Sequence, residues 1–115
     1  MRYDIKKTEK EALENQHDVR HNDIVILGTD GVHDNIFDEQ ILNQCIYPKI
    51  RADGELPNPE EAAICISHLA ETVSYSESDE TPWTIHAVAH GKDRNENLGG
   101  KPDDITVIVA QIKLH

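Results

Sequence analysis

Between Arg51 and Lys92 the chain contains no Lys or Arg, although Asp53, Glu55, Glu60, Glu61 and four further acidic residues fall there. The net charge of the 115 residues is −11. Nucleic acid and anionic membrane surfaces need a basic patch, so both are excluded as partners on this reading. The acidic stretch reads as a solvated face, or more sharply as a surface that attracts cations or basic substrates. Cysteine is scarce: Cys45 and Cys65 form no CxxC pair and no zinc spacing. They are expected as buried reduced thiols, which fits a reducing compartment. The Met1 end has no apolar run like a signal peptide, and no run is long enough to cross a membrane. The expectation is a soluble, intracellular protein, with cytoplasm and mitochondrion not distinguished. Hydrophobic residues make up only 37%, so one domain with a modest core is the upper bound. Internal repeats and a phosphate-cradling Gly-rich loop are lacking, and Ser, His and Asp are too scattered to argue a triad.

Residues 1–16 are poorly determined by their sequence. Tyr3 and Ile5 alternate weakly, and residues 6–16 have helix-forming composition with little apolar face. Ile24-Val-Ile-Leu27 is a short β-branched run ending at Gly28, as in a buried strand. Asp38 is expected to cap a helix carrying Ile41, Leu42, Cys45 and Ile46, closed by Pro48. Asn58 caps the next helix, with Pro59 in its first turn and Glu61 three beyond the cap. Its apolar stripe is Ala62, Ile66, Leu69, Ala70 and Val73. Thr81-Pro82 starts another helix, stopped by Gly91. After a Gly/Asn loop, Ile105 to Ile112 forms a second β-branched strand. That strand is apolar on both faces apart from Thr106, so it needs a layer above and below. Two strands and two or three helices do not supply both, and the chain reads as part of a larger domain.

Chemistry concentrates beside these strands. In Asp23-Ile-Val-Ile-Leu-Gly-Thr-Asp-Gly31, Asp30 follows its strand; in Pro102-Asp-Asp-Ile-Thr-Val-Ile-Val109, Asp103 precedes its own. If the strands pair antiparallel, both carboxylates reach one sheet edge. Convergent carboxylates suit Mg²⁺ or Mn²⁺, which favour oxygen ligands. Asp34 and Asp38 read as turn and cap residues. A haloacid-dehalogenase-type phosphatase would need a nucleophilic Asp where Gly28 stands. Asp93-x-Asn95-x-Asn97 imitates an EF-hand loop, but its sixth position is Leu98 and its twelfth is Asp104 rather than Glu. His86 and His90 lie four apart on a helix, but Ala87 stands where a zincin has Glu.

The two strand motifs, in this order and with Gly99-Gly-Lys-Pro-Asp-Asp-Ile-Thr106 before the second, resemble the C-terminal half of the metal-dependent protein phosphatases of type 2C. Phe37-Asp38 after Asp34-Asn35, and Thr81-Pro-Trp83, look most like the subgroup with mitochondrial and plastid members. The match covers about residues 17–113. The resemblance implies an α+β fold, part of a four-layer α-β-β-α sandwich of antiparallel sheets flanked by helices. It implies that Asp30 and Asp103 are ligands of a two-metal Mn²⁺ or Mg²⁺ site, with Asp104 where many members have Asn. The implied reaction is hydrolysis of phosphoserine or phosphothreonine on a phosphoprotein by a metal-activated water.

The family's bridging Asp in an Asp-Gly-His-Gly type motif, its phosphate-binding Arg and its proposed general-acid His have no counterpart here. Residues 1–16 are too short to hold them. The chain (residues 1–115) is therefore expected to be a single partial domain, the C-terminal piece of a catalytic domain, with little activity alone. The alternative is a non-catalytic acidic interaction or regulatory module derived from that fold. Either way, an uncovered strand face predicts self-association.

Overall fold

β2 (Ile24–Gly28) is the central strand of a three-stranded sheet. The computed structural model describes residues 2–7 and 18–115. β3 (Val107–Gln111) pairs antiparallel with β2, with Ile24 opposite Gln111 and Gly28 opposite Val107. On the other edge β1 (Tyr3–Lys7) runs parallel to β2, with Ile5 opposite Ile26. The sheet is therefore mixed. β1 is a strand in the region that sequence left undetermined, while residues 8–16 of the helix-forming stretch lie outside the described residues.

Alternation decides what the sheet can cover. Ile24 and Ile26 on β2 are fully buried, and Ile5, Val107 and Val109 pack against the same core. Val32, Ile41, Cys45, Ala62 and Ile66, from helical segments, join that core. On the opposite face Val25 and Leu27 are half-buried and Ile108 is 56% exposed. The missing layer expected from the apolar strands thus appears as one open sheet face.

α3 (Pro59–Ser74) is the main covering element. Its first turn is fixed by Pro59 and by the Glu61 N–H, which donates to the Asn58 side chain at 3.2 Å. Ala62, Ile66 and Ala70 recur at four-residue spacing and are fully buried, with Leu69 and Val73 packed beside them. α4 (Pro82–Ala89) starts at the Thr81 cap, whose hydroxyl accepts from the Thr84 N–H. It ends before Gly91, whose φ of +84° suits glycine.

Two expectations need correction. The helix after Asp38 begins as α2 (Asp38–Ile41), widens into a π-helical turn (Leu42–Ile46) and tightens into a 3₁₀ turn (Tyr47–Lys49) that contains Pro48. Asp38 is its first residue. Phe37 holds the cap position, and its N–H donates to Gln40 Oε1 at 2.7 Å. The spaced residues Ile41, Leu42, Cys45 and Ile46 are buried as their pattern implied. Secondly, Cys45 and Cys65 are joined in a disulfide, with Cα atoms 5.5 Å apart, rather than being reduced thiols. Packing of the π-helical turn against α3 brings the two positions within bridging reach. The bond removes the thiol argument for a reducing compartment. Among the described residues, no helix is long and apolar enough to cross a membrane.

Two substitutions probe this core. Ile66→Ala should lower unfolding stability by about 2–5 kcal/mol in urea titration, because a fully buried side chain leaves a cavity. Opening the disulfide with a reductant should lower it by about 2–4 kcal/mol, with Cys45→Ala/Cys65→Ala as the unreducible reference.

Candidate metal centre

The site begins where the β2–β3 ladder ends. Beyond the Gly28–Val107 pair, the Thr29 N–H donates to the Thr106 carbonyl at 3.2 Å. The Thr29 hydroxyl donates to the Asp104 carbonyl at 2.8 Å and accepts from the Thr106 N–H at 3.1 Å. Thr29 thereby extends the ladder through its side chain. The chain then turns into α1, a single helical turn (Asp30–His33).

Gly31 is buried inside this turn, and a Cβ there would lie 2.3 Å from the Asp104 carbonyl oxygen. Only glycine allows the Asp30 turn to approach the segment before β3 this closely. One buried amide completes the junction. Asn35 Nδ2 donates to the Gly31 carbonyl at 2.8 Å and to the Lys101 carbonyl at 2.9 Å, and Oδ1 accepts from the Lys101 N–H at 2.7 Å.

Asp30 and Asp103 are both exposed and sit at this end of the sheet, as antiparallel pairing requires. Asp103 Oδ1 accepts from the Asp104 N–H at 2.8 Å. Among the described residues, neither carboxylate is paired with a cationic side chain. Lys101, two residues from Asp103, instead places its ammonium 4.1 Å from the Trp83 ring centroid. The donors here are all carboxylate oxygens, the chemistry that hard divalent cations favour. They fit part of a cation site: among the described residues no group of three or more His, Cys, Asp or Glu is arranged to hold a metal.

The remaining candidates have structural roles. Asp34 follows α1, and its carbonyl accepts from the Trp83 N–H at 2.9 Å, which seats the start of α4. The Asp93 carboxylate accepts from the Asn95 N–H at 3.2 Å within its own turn, which is not EF-hand geometry. Trp83 stacks on His86 in α4, and the His90 ring at the helix end lies 4.2 Å from His86, tilted by 40°. His33 Nε2 lies 3.0 Å from the Lys6 carbonyl and ties α1 to β1. Thr29 and Asn35, both central to the junction, carried no signal as site residues. An Asn four residues beyond Gly31 is the only trace of the brace in the sequence.

No family model matches the chain. Over 110 residues it is 30% identical to the protein phosphatase PTC7 homolog fig of Drosophila virilis, covering 96% of this chain and 34% of that protein. Over 117 aligned positions it is 33% identical to the probable protein phosphatase 2C 1 of Oryza sativa subsp. japonica, covering 95% and 33%. The X-ray structure of the photosystem II phosphatase PBCP superposes with a TM-score of 0.67 at 32% identity, over 84% of this chain and 38% of that one. Over most of its length the chain is thus similar to a portion of type 2C protein phosphatases.

It spans about a third of the length of the curated relatives it matches. Its α+β architecture matches part of the PBCP structure.

The close approach at Gly31 gives a direct test. Gly31→Ala should cost about 1–3 kcal/mol of unfolding stability, because the new Cβ must displace the Asp104 backbone. Urea unfolding checks the size. Chemical-shift changes that include Asp104 and Thr106 check the location.

Proposed function

We propose that the chain is part of a metal-dependent protein serine/threonine phosphatase, and that Asp30 and Asp103 are two of its metal ligands. The antiparallel register of β2 and β3 carries this reading, because it brings both carboxylates to one sheet end from either side of the chain. Similarity to type 2C protein phosphatases suggests the reaction class. The substrate class is a phosphoprotein carrying phosphoserine or phosphothreonine, and the cation is Mn²⁺ or Mg²⁺.

Each residue has a distinct task on this reading. Asp30 and Asp103 offer exposed carboxylate oxygens with no competing cation among the described residues. Thr29, Gly31 and Asn35 hold the two ligand segments together. When bound, the cation polarises the phosphoryl group and acidifies water. Further carboxylates are needed to complete a two-metal site, so this chain alone should turn over little substrate.

A non-catalytic acidic module is the second reading. The partial donor set and the open sheet face favour it. A self-associated particle that binds no Mn²⁺ would support the module over the enzyme segment.

Mn²⁺ titration separates the two readings. The unmodified chain should bind Mn²⁺, and Asp30→Asn or Asp103→Asn should each weaken binding by roughly tenfold or more, as read by the electron paramagnetic resonance of free Mn²⁺. Equal affinity in all three proteins would sink the ligand assignment. Phosphopeptide hydrolysis should stay near background. Robust turnover abolished by Asp30→Asn would overturn the expectation of low activity.

A further inference from the structure

We propose that Asn35 is the positioning residue of the metal centre: one buried amide fixes the Asp30 and Asp103 segments to each other. The inference rests on the metal-ligand reading of those two aspartates. Asn35 itself does not reach the cation; it acts through the backbone on both sides.

The amide is fully buried, with 0% exposure. Both of its N–H groups donate, one to Gly31 and one to Lys101, and its oxygen accepts from Lys101. Lys101 is thus held at both its N–H and its carbonyl, as a neighbouring strand would hold it. Gly31 adjoins Asp30. Lys101 lies two residues before Asp103, and Pro102, with its fixed φ, stands between them. Two ligand segments 66 or more residues apart in sequence therefore share one rigid support.

Other links across the junction are weaker in kind. The Thr29 bonds are near the surface and compete with water. The Asn35 bond to Gly31 is buried and those to Lys101 are part-buried, where hydrogen bonds are stronger than at the surface and unpaired groups cost more. The chemistry of the site also selects Asn. A Leu would orphan the Gly31 and Lys101 backbone groups, an Asp would set a carboxylate against two carbonyl oxygens, and a Gln is one methylene too long for a fully buried position.

A brace of this kind affects metal affinity as well as stability, and that difference makes it testable. Asn35→Ala is compared with Ile36→Val, which loosens the adjoining core through a side chain that makes none of these hydrogen bonds. Mn²⁺ alone is the probe, read by electron paramagnetic resonance, and amide hydrogen exchange of Lys101 is read without metal. Asn35→Ala should release the Lys101 amide to faster exchange and weaken Mn²⁺ binding by roughly ten- to a hundredfold. Ile36→Val should lower the melting temperature and leave Mn²⁺ affinity unchanged. If Asn35→Ala does not fold, Asn35→Ser, which keeps one donor, is read in the same way. Unchanged Lys101 exchange in the Asn35 variant overturns the brace. So does a loss of Mn²⁺ affinity matched by Ile36→Val. Failure of the unmodified chain to bind Mn²⁺ overturns the ligand reading instead, and the exchange result still decides whether Asn35 is a brace.

Discussion

The register between β2 and β3 is the constraint from which the rest of this structure follows. A strand side chain alternates faces at every residue, so a slip of one position would turn Ile24 and Ile26 away from the core. The same slip would move Asp30 and Asp103 to different levels of the sheet end. Core packing and site assembly are therefore set by a single choice of backbone partners. Beyond the last ladder pair, Thr29, Gly31 and Asn35 continue that choice with a hydroxyl, a missing Cβ and an amide.

What the sequence revealed depended on how local the physics was. Asn58-Pro59 and the four-residue spacing of Ala62, Ile66 and Ala70 describe α3 completely, because a cap and an apolar stripe need no distant partner. The β-branched runs beside Asp30 and Asp103 were legible for the same reason. β1 was not: Tyr3-Asp-Ile-Lys-Lys7 has a polar residue at every second position and becomes a strand only because β2 offers it a ladder. Asn35 was opaque as well, since a polar residue becomes a brace only when Lys101 arrives beside it.

The disulfide shows the limit of spacing arguments. Cys45 and Cys65 match no metal or redox pattern, so sequence could offer only a pair of thiols. Their bond depends on the π-helical turn, which widens the helix where Cys45 faces α3. α3 also covers β3 and packs against α1. A covalent link from α3 thus helps hold down the layer that covers the sheet, while hydrogen bonds from Thr29 and Asn35 tie the Asp30 and Asp103 segments together.

The sheet joins chain segments that are remote in sequence: the Thr29–Asp104 bond at its carboxylate end spans 75 residues, and at the opposite end the Asn22 N–H donates to the Ile112 carbonyl, 90 residues away. Closing such loops costs chain entropy before any contact repays it. α3 and α4 can form from local signals, whereas β3 must wait for the whole intervening chain to compact. Loop-closure entropy therefore favours late assembly of the carboxylate end. During synthesis, the Asp30 turn emerges long before the strand that completes it, and β2 passes that interval with one of its edges unpaired.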